Sequence, residues 1–244
     1  MSNSFFHFKQ FSILHQEKGL KVTTDACLLG AIAQAHQSQN LLDIGTGTGV
    51  VALFMAQKFK ALKIDAIEIE PEVAKQARLN ISNSPFREQI TILEADFLSW
   101  QTETKYDTIV SNPPYYKNHL RKSDSEKNIA IHADLMNHQL MISKIASVLH
   151  DNGQFYCILP PYEMGQLIEM ASREGLYANS KIEIFNTPDK HYRDIVCFSR
   201  IQSNKISHTQ LLLKDQKGEN TGEFHRLMSD FYLEDTAKYR KNKQ

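Results

Sequence analysis

The feature that most constrains the fold of this chain is a glycine-rich turn between two apolar segments. The residues from 41 to 44 form a short apolar strand, Gly45, Gly47 and Gly49 follow it, and the residues from 50 to 58 have the composition of a helix. Glycine adopts positive φ without steric cost and lets a ligand come close to the backbone. A buried strand, a glycine turn and a helix in this order are typical of α/β sheets that bind ligands beyond their strand ends.

The rest of the chain continues this alternation. Strands are predicted at 64–69, 90–93, 106–110, 154–159, 181–185 and 195–201, and helices at 26–35, 71–81, 133–149, 162–175 and 223–233. One or two short strands are expected within 4–15, and a further strand at 205–213. The pattern predicts an α/β fold, with a mostly parallel central sheet, helices on both faces and a short N-terminal β/α extension. We expect the extension to span residues 1–40, the main domain 41–233 and a basic tail 234–244.

Composition and charge exclude several classes of protein. The 244 residues carry 28 basic and 28 acidic side chains, so the whole molecule does not attract nucleic acid or an anionic membrane. Cys27, Cys157 and Cys197 are far apart and form no CxxC pair, which favours a reducing cytoplasm and speaks against a zinc site. The longest apolar stretch, 50–56, is too short to cross a bilayer.

Two carboxylates beside the glycine turn indicate the kind of ligand. The spacing is G-x-G-x-G, and Val50 stands where a dinucleotide fingerprint needs its third glycine. Asp43, at the strand end, would repel a pyrophosphate and would suit a cationic amino group. Glu68 ends the next strand, where an acidic residue can accept hydrogen bonds from both hydroxyls of an adenosine ribose.

Polar residues also follow the third and fourth strands of the main domain. Asp96 is placed to accept the exocyclic amine of an adenine, with Phe97 near the ring. Asn112 precedes Pro113 and Pro114, which stop the sheet and stiffen the turn. The Asn112 side-chain oxygen and the Pro113 carbonyl are therefore predicted to form a rigid double acceptor for an NH₂ group, with the aromatic ring of Tyr115 beside it.

In their order along the chain these motifs resemble a known family. DIGTGTG, IEIEP, EADF and NPPY are similar to the motifs of class I S-adenosylmethionine-dependent methyltransferases that methylate planar amines. The segment from Lys21 to Gly30 resembles the K-V-G-T-D-x-x-L-L-G segment of the bacterial tRNA1(Val) adenosine-37 N6-methyltransferases, except that Thr23 stands where that family usually has Gly. The segment from Glu223 to Leu233 resembles their closing E-F…D-F-Y-L stretch.

The resemblance implies a Rossmann-like class I methyltransferase with S-adenosylmethionine as cofactor. It implies methyl transfer to the N6 amine of an adenosine in tRNA, namely adenosine 37 beside the anticodon of a valine tRNA. The expected enzyme is a cytoplasmic monomer that needs no metal. The residues expected to bind the cofactor are Thr24, Asp43, Gly45, Gly47, Gly49, Glu68, Asp96, Phe97 and Asn112, and the catalytic residues are Asn112, Pro113, Pro114 and Tyr115.

A neutral protein must hold RNA through a local basic patch. Lys117, Arg121 and Lys122 follow the catalytic turn and are the predicted contacts with the anticodon stem-loop, and Lys9, Lys18, Lys21 and the basic tail are further candidates. Three alternatives stay open. The substrate amine could be guanine N2 in ribosomal RNA or, less well supported by the 42 residues before Asp43, glutamine N5 in a release factor. The third alternative is a non-catalytic RNA-binding module on the same scaffold, against which the intact motifs count.

Overall fold

A computed structural model describes residues 5–14, 21–114 and 124–233, without the side chains of 124–135. The strands are β1 Phe5–His7, β2 Ser12–Leu14, β3 Asn40–Ile44, β4 Lys63–Glu68, β5 Ile90–Glu94, β6 Tyr106–Ser111, β7 Leu149–Leu159, β8 Tyr177–Thr187, β9 Lys190–Ser199 and β10 Ser207–Leu212. The helices are α1 Thr24–Ile32, α2 Val50–Lys58, α3 Pro71–Ser82, α4 Asp124–Val148, α5 Pro161–Arg173 and α6 Gly222–Met228. No helix in these described ranges is both long and apolar enough to cross a membrane.

The main sheet has eight strands in the order β10-β8-β9-β7-β6-β3-β4-β5. Five of its seven strand pairs are parallel, and β9 runs antiparallel to both of its neighbours. The prediction of a mostly parallel sheet is therefore confirmed. The chain leaves β3 toward β4 and β5 and then returns to place β6 and β7 on the other side, so the topological switch point lies between β3 and β6. Ligands of such sheets bind at this point, beyond the carboxyl ends of the strands.

Helices cover both faces of the sheet, and the alternation of side chains along β3 shows how. Leu41 is fully buried in a cluster with Leu29 of α1 and Phe54 of α2. Leu42 is fully buried on the opposite face, in a cluster with Ile142 of α4 and residues of α5. A strand that buries both of its faces is mostly apolar, as Leu41, Leu42 and Ile44 are, and Asp43 is the one polar residue within 41–44.

The N-terminal hairpin of β1 and β2 packs on the main domain together with the end of the described chain. Phe8 and Phe11 belong to the same hydrophobic cluster as Phe54 of α2. The Phe54 and Phe231 rings are stacked with their centroids 3.9 Å apart, and the Lys9 amide donates to the Phe231 carbonyl at 2.7 Å. Both ends thus contribute to one core, and the domain boundaries at residues 40 and 233 stay predictions.

Several element bounds differ from the sequence-based predictions. Helix α4 begins at Asp124 rather than 133, because part of the polar stretch is helical without showing an apolar face. Strands β7 and β9 are longer than predicted, since β9 pairs with β8 from Lys190 onward and β7 bulges to pair Leu149 with Tyr106. Helix α6 ends at Met228 rather than 233.

Candidate active site

The residues predicted to bind a ligand lie along one edge of the sheet. Ile44, at the end of β3, pairs with Ile67 of β4 and with Ser111 of β6, and Glu68 pairs with Glu94 of β5. The residues that follow these four strands therefore leave the sheet at the same edge. The structure places the glycine turn, Glu68, Asp96 and Asn112 along this edge, and it joins the turn directly to Glu68 by a hydrogen bond.

The glycine turn needs the conformational freedom that glycine provides. Gly45, Gly47 and Gly49 have φ values of 69°, 58° and 86°, which other residues rarely adopt. At Gly49 a side chain would also come within 3.4 Å of Ile81 in α3. The amides of Gly45 and Thr46 both donate to the Ile67 carbonyl, at 2.9 and 3.1 Å, so the turn is fixed against the end of β4.

Asp43 is a buried carboxylate directly beneath this turn. Only 1% of its surface is exposed, and its Oδ2 accepts a hydrogen bond from the Thr46 hydroxyl at 2.7 Å. The pKa of Asp43 is raised to about 7, chiefly by burial and in smaller part by the nearby Glu68 carboxylate, while the Thr46 hydroxyl and the Ala52 amide oppose the shift. A positive charge placed here would favour the ionised carboxylate.

Glu68 is tied into the turn as well as placed beside it. Its Oε2 accepts a hydrogen bond from the Gly47 amide at 3.0 Å, and its Oε1 accepts one from the Glu70 amide at 3.0 Å. Each carboxylate oxygen has a second lone pair, so both can still accept a ligand hydroxyl. Within the described part of the chain no basic side chain forms a salt bridge with Asp43 or Glu68. The two buried carboxylates are thus suited to a cationic ligand.

Asp96 and Phe97 follow β5 and have different surroundings. Asp96 is half-buried, and its carboxylate accepts hydrogen bonds from the Leu98 amide at 3.0 Å and the Ser99 hydroxyl at 3.2 Å. Phe97 is 7% exposed and packs in the core cluster with Ile44 and Ile67. The Phe97 ring is therefore part of the hydrophobic core at this edge of the sheet, and its contact with an adenine stays a prediction.

The predicted catalytic turn follows β6. The Ser111 hydroxyl donates to the Ile44 carbonyl at 3.1 Å and so ties the end of β6 to the end of β3. Asn112 is half-buried, Pro113 is buried and Pro114 is exposed. Tyr115, Lys117, Arg121 and Lys122 lie outside the described residues. The roles assigned to these seven positions stay predictions.

The sequence analysis missed a buried polar cluster at the start of α1. Asp25 is 4% exposed and accepts hydrogen bonds from the Tyr192 hydroxyl at 2.7 Å and from Arg193 Nε at 2.8 Å. Arg193 lies in the polar first half of β9, where a charged residue gives no signal that it is buried. This pair joins the segment 21–25 to the same edge of the sheet that carries the glycine turn, since β9 begins at that edge.

The same segment shows how Thr23 is accommodated at the position where the resembled family usually has Gly. Thr23 caps α1, because its hydroxyl accepts a hydrogen bond from the Ala26 amide at 3.2 Å, and the Thr24 side chain is exposed at the first position of the helix. The backbone of Thr23 is extended, with φ of −108°. This conformation does not require glycine, so the substitution places no strain on the backbone here.

Glu183, His191 and Asp194 bring potential metal-ligand atoms within 4.8 Å of one another on β8 and β9. The Lys181 ammonium lies among them, 2.9 Å from Asp194 Oδ2 and 3.4 Å from Glu183 Oε1. His191 Nε2 is 2.7 Å from Asp194 Oδ1. The cluster therefore already contains a cation of its own.

Comparisons with known proteins agree with this geometry. Residues 19–162 match the family model described as methyltransferase small domain. A tRNA1(Val) (adenine(37)-N6)-methyltransferase of Bacteroides fragilis (strain YCH46) is 36% identical over 237 residues, which cover 96% of this chain and 99% of that protein. The chain belongs to the tRNA1(Val) (adenine(37)-N6)-methyltransferase family. The resemblance predicted from the motifs is confirmed.

Solved structures show that this family member has the class I methyltransferase fold. A predicted O-methyltransferase, protein Atu636 from Agrobacterium tumefaciens, superposes with a TM-score of 0.64 at 18% identity, over 85% of this chain and 96% of that one. A putative class I S-adenosylmethionine-dependent methyltransferase from Listeria monocytogenes superposes with a TM-score of 0.56 at 15% identity, over 76% and 62% of the two chains. At these identities the likeness concerns the fold alone.

S-adenosylmethionine is the cofactor of this methyltransferase family, as the motifs predicted. The described residues fit it chemically, because S-adenosylmethionine carries a cationic sulfonium and an ammonium, which would favour the ionised forms of the two buried carboxylates, Asp43 and Glu68, beside the glycine turn. Which of the predicted residues contact the cofactor stays a prediction.

Proposed function

We propose that this chain transfers a methyl group from S-adenosylmethionine to the N6 amine of adenosine 37, beside the anticodon of a valine tRNA. The observation that carries the proposal is its 36% identity to a protein of that name over 96% of the chain. The likeness includes the two flanking segments, 21–30 and 223–233, which distinguish this family from other methyltransferases with an NPPY turn. The proposal implies a cytoplasmic enzyme, because its substrate is tRNA.

The chain's main contribution to the reaction would be to prepare the amine. S-adenosylmethionine, when bound, supplies a methyl group already activated by the sulfonium. The adenine N6 lone pair is delocalised into the ring and is therefore a weak nucleophile. If the Asn112 side-chain oxygen and the Pro113 carbonyl accept both N6 protons, they favour a pyramidal nitrogen whose lone pair points toward the methyl carbon. This is catalysis by positioning and electrostatic stabilisation, without a covalent intermediate.

The prolines and Tyr115 complete the proposed roles at this turn. Pro113 and Pro114 restrict the backbone, so that the two acceptor oxygens keep fixed directions. Tyr115 would stack on the target base once that base has left the base stack of the anticodon loop. Lys117, Arg121 and Lys122 would contact phosphates of the anticodon stem-loop. The excess proton can leave to water, so the mechanism needs neither a general base nor a metal.

The test is methylation of a valine tRNA transcript with isotope-labelled methyl donor, followed by nucleoside mass spectrometry. We expect labelled N6-methyladenosine as the product. A transcript in which uridine replaces adenosine 37 is the matched control and should receive no label.

The first two alternatives predict label in a different substrate, which is tested by incubating ribosomal RNA or a release factor in parallel with the tRNA transcript. N2-methylguanosine in ribosomal RNA would identify a guanine methyltransferase, and label in a release factor would identify a glutamine methyltransferase. A protein that binds tRNA but not S-adenosylmethionine in calorimetry would be a non-catalytic module. Any of these three results would contradict the proposal.

A further inference from the structure

A second Pro-Pro-Tyr turn lies beside the predicted catalytic turn. Pro160, Pro161 and Tyr162 follow β7 as Pro113, Pro114 and Tyr115 follow β6. Strands β6 and β7 are parallel neighbours with Ser111 paired to Cys157, so the residues that follow both strands leave the sheet at the same edge. Neighbouring strands are about 4.8 Å apart. Two proline turns thus leave the same edge of the sheet side by side.

The start of α5 holds Tyr162 on a rigid support. Pro160 is the N-cap residue and Pro161 the first residue of the helix, a position for which proline is preorganised. The Met164 amide donates to the Pro160 carbonyl at 2.9 Å, and the Met164 side chain is fully buried, which anchors this first turn in the core. The backbone beneath Tyr162 is therefore fixed.

The Tyr162 ring itself is open to solvent. It is 73% exposed, and Gln166 Nε2 donates to its hydroxyl at the long distance of 3.4 Å. Gly165 lies three residues further along the same helix face, and nothing lies within 4 Å of the position that a Cβ would occupy there. Space is therefore available beside the ring for a flat group.

The surroundings of the ring favour a nucleobase over an apolar protein surface. The neighbouring residues on the helix include Glu163, Gly165 and Gln166, which form no apolar patch. When a base leaves the stack to reach an active site, its neighbours lose a stacking partner. Aromatic side chains replace that partner in proteins that bind unpaired RNA, whatever the base.

We propose that Tyr162 is a substrate-positioning residue whose ring stacks on an unpaired base next to the base that is methylated. The inference rests on the proposed function, because it needs an RNA substrate at the catalytic turn. It assigns to the end of β7 a contact that is separate from the Asn112 turn at the end of β6. A neighbouring base stacked on Tyr162 would keep the anticodon loop in an open conformation while the target amine binds at the Asn112 turn.

The test compares Tyr162→Ala, Tyr162→Phe and Tyr162→Trp in steady-state methylation of the valine tRNA. We expect Tyr162→Ala to raise KM for tRNA about 5- to 150-fold, the scale of one base–aromatic stack, with kcat within about twofold. Tyr162→Phe and Tyr162→Trp should stay within about threefold of wild type, because both keep an aromatic face. S-adenosylmethionine affinity should be the same in all four proteins.

Ile201→Ala is the matched control, since Ile201 is 63% exposed and follows β9 at the opposite edge of the sheet. It should leave both kinetic constants unchanged. A wild-type KM in Tyr162→Ala, or a fall in kcat or cofactor affinity in place of the KM effect, would overturn the stacking role and leave the proposed function intact.

A binding measurement separates this inference from the fate of the proposed function. An anticodon stem-loop with 2-aminopurine beside the target base is titrated with each protein in the presence of S-adenosylhomocysteine. We expect the wild type and the two aromatic variants to change the probe's fluorescence more strongly than Tyr162→Ala does. Equal signals at saturation would overturn the inference even if methylation proceeds. Absence of methylation by the wild type would instead contradict the proposed function.

Discussion

The cofactor side and the substrate side of the site hold their polar groups in different ways. At the ends of β3 and β4, the Asp43 and Glu68 carboxylates accept hydrogen bonds from the turn itself, at 2.7 and 3.0 Å. At the ends of β6 and β7, prolines restrict the backbone beneath Asn112 and Tyr162. Among the described residues no side-chain hydrogen bond engages Asn112, and Tyr162 has the single long one from Gln166.

The difference shows two ways to preorganise a site. Internal hydrogen bonds fix a side chain but occupy part of its capacity to bind a ligand, which a carboxylate with four lone pairs can tolerate. An amide oxygen with two lone pairs, or an aromatic ring, keeps its full capacity only if the backbone is fixed by other means. Prolines provide this, because they restrict φ without using the side-chain groups that would bind the ligand.

The largest effect should come from the substrate side. Asn112→Ala should lower kcat about 10²–10³-fold, the usual result of losing one preorganised polar contact to the reacting group. S-adenosylmethionine affinity, measured by calorimetry, should be nearly unchanged, because Asn112 is only one of nine residues predicted to bind the cofactor and no described hydrogen bond joins it to Asp43 or Glu68. If affinity for the cofactor falls instead and kcat is preserved at saturation, the two sides of the site are not separate.

A substitution on the cofactor side of the site should change ligand affinity rather than kcat. Glu68→Gln should weaken S-adenosylmethionine and S-adenosylhomocysteine alike by about 1.5–3 kcal/mol, which is about 10- to 150-fold in Kd. The amide nitrogen cannot accept the Gly47 or Glu70 amide or a ribose hydroxyl. Glu72→Gln, an exposed neighbour in the first turn of α3, is the control and should bind both ligands as the wild type does. Unchanged binding in Glu68→Gln would remove Glu68 from the cofactor site.

A change of pH should have a smaller effect on the affinity for S-adenosylmethionine. Because the pKa of buried Asp43 is about 7 in the free protein, the carboxylate is mostly protonated at pH 6 and ionised at pH 8. A cationic ligand needs the ionised form, so the Kd for S-adenosylmethionine should rise about tenfold from pH 8 to pH 6. Asp43→Asn should flatten this dependence. A pH-independent Kd in the wild type would show that Asp43 does not face the cofactor's charge.

The same shift affects the stability of the free protein in the opposite sense to a salt-bridged carboxylate. The folded-state pKa lies above that of the unfolded chain, so between about pH 4 and pH 7 the folded state binds the extra proton. The contribution of Asp43 to stability therefore declines as the pH rises through this window. Denaturant unfolding of wild type and Asp43→Asn across it should show the decline in the wild type alone.

The smallest effect concerns how a neutral protein holds RNA. Arg121→Ala combined with Lys122→Ala should raise KM for tRNA and flatten the slope of log K against log salt by about one to two units, since each phosphate contact contributes about 0.7–0.9. Cofactor affinity should not change. Superimposable salt dependences for wild type and variant would place the phosphate contacts elsewhere on the molecule.

The sequence by itself determined the elements that carry the site. The glycine turn, the acidic residues at or just after the ends of β3, β4 and β5, and the proline turn after β6 are local patterns, and local backbone chemistry decides them. Because parallel strands end at one edge, the pattern also predicted that these residues lie at the same edge of the sheet, and the strand register confirms this. The start of α4 at Asp124 escaped the analysis, since a polar helix without an apolar face has no local signal.

The tertiary structure alone decided which distant groups complete these elements. The Glu68 carboxylate accepts a hydrogen bond from the Gly47 amide, 21 residues away in the sequence. The Asp25 carboxylate accepts one from Arg193, 168 residues away in the sequence. Tyr162 and the Asn112 turn leave the sheet at the same edge only because β7 pairs parallel to β6, and β10 is parallel to β8 only because of the path the chain takes after β9. Strand order and register depend on the packing of the whole sheet. The residues next to one member of a long-range contact therefore do not indicate where in the sequence its partner lies.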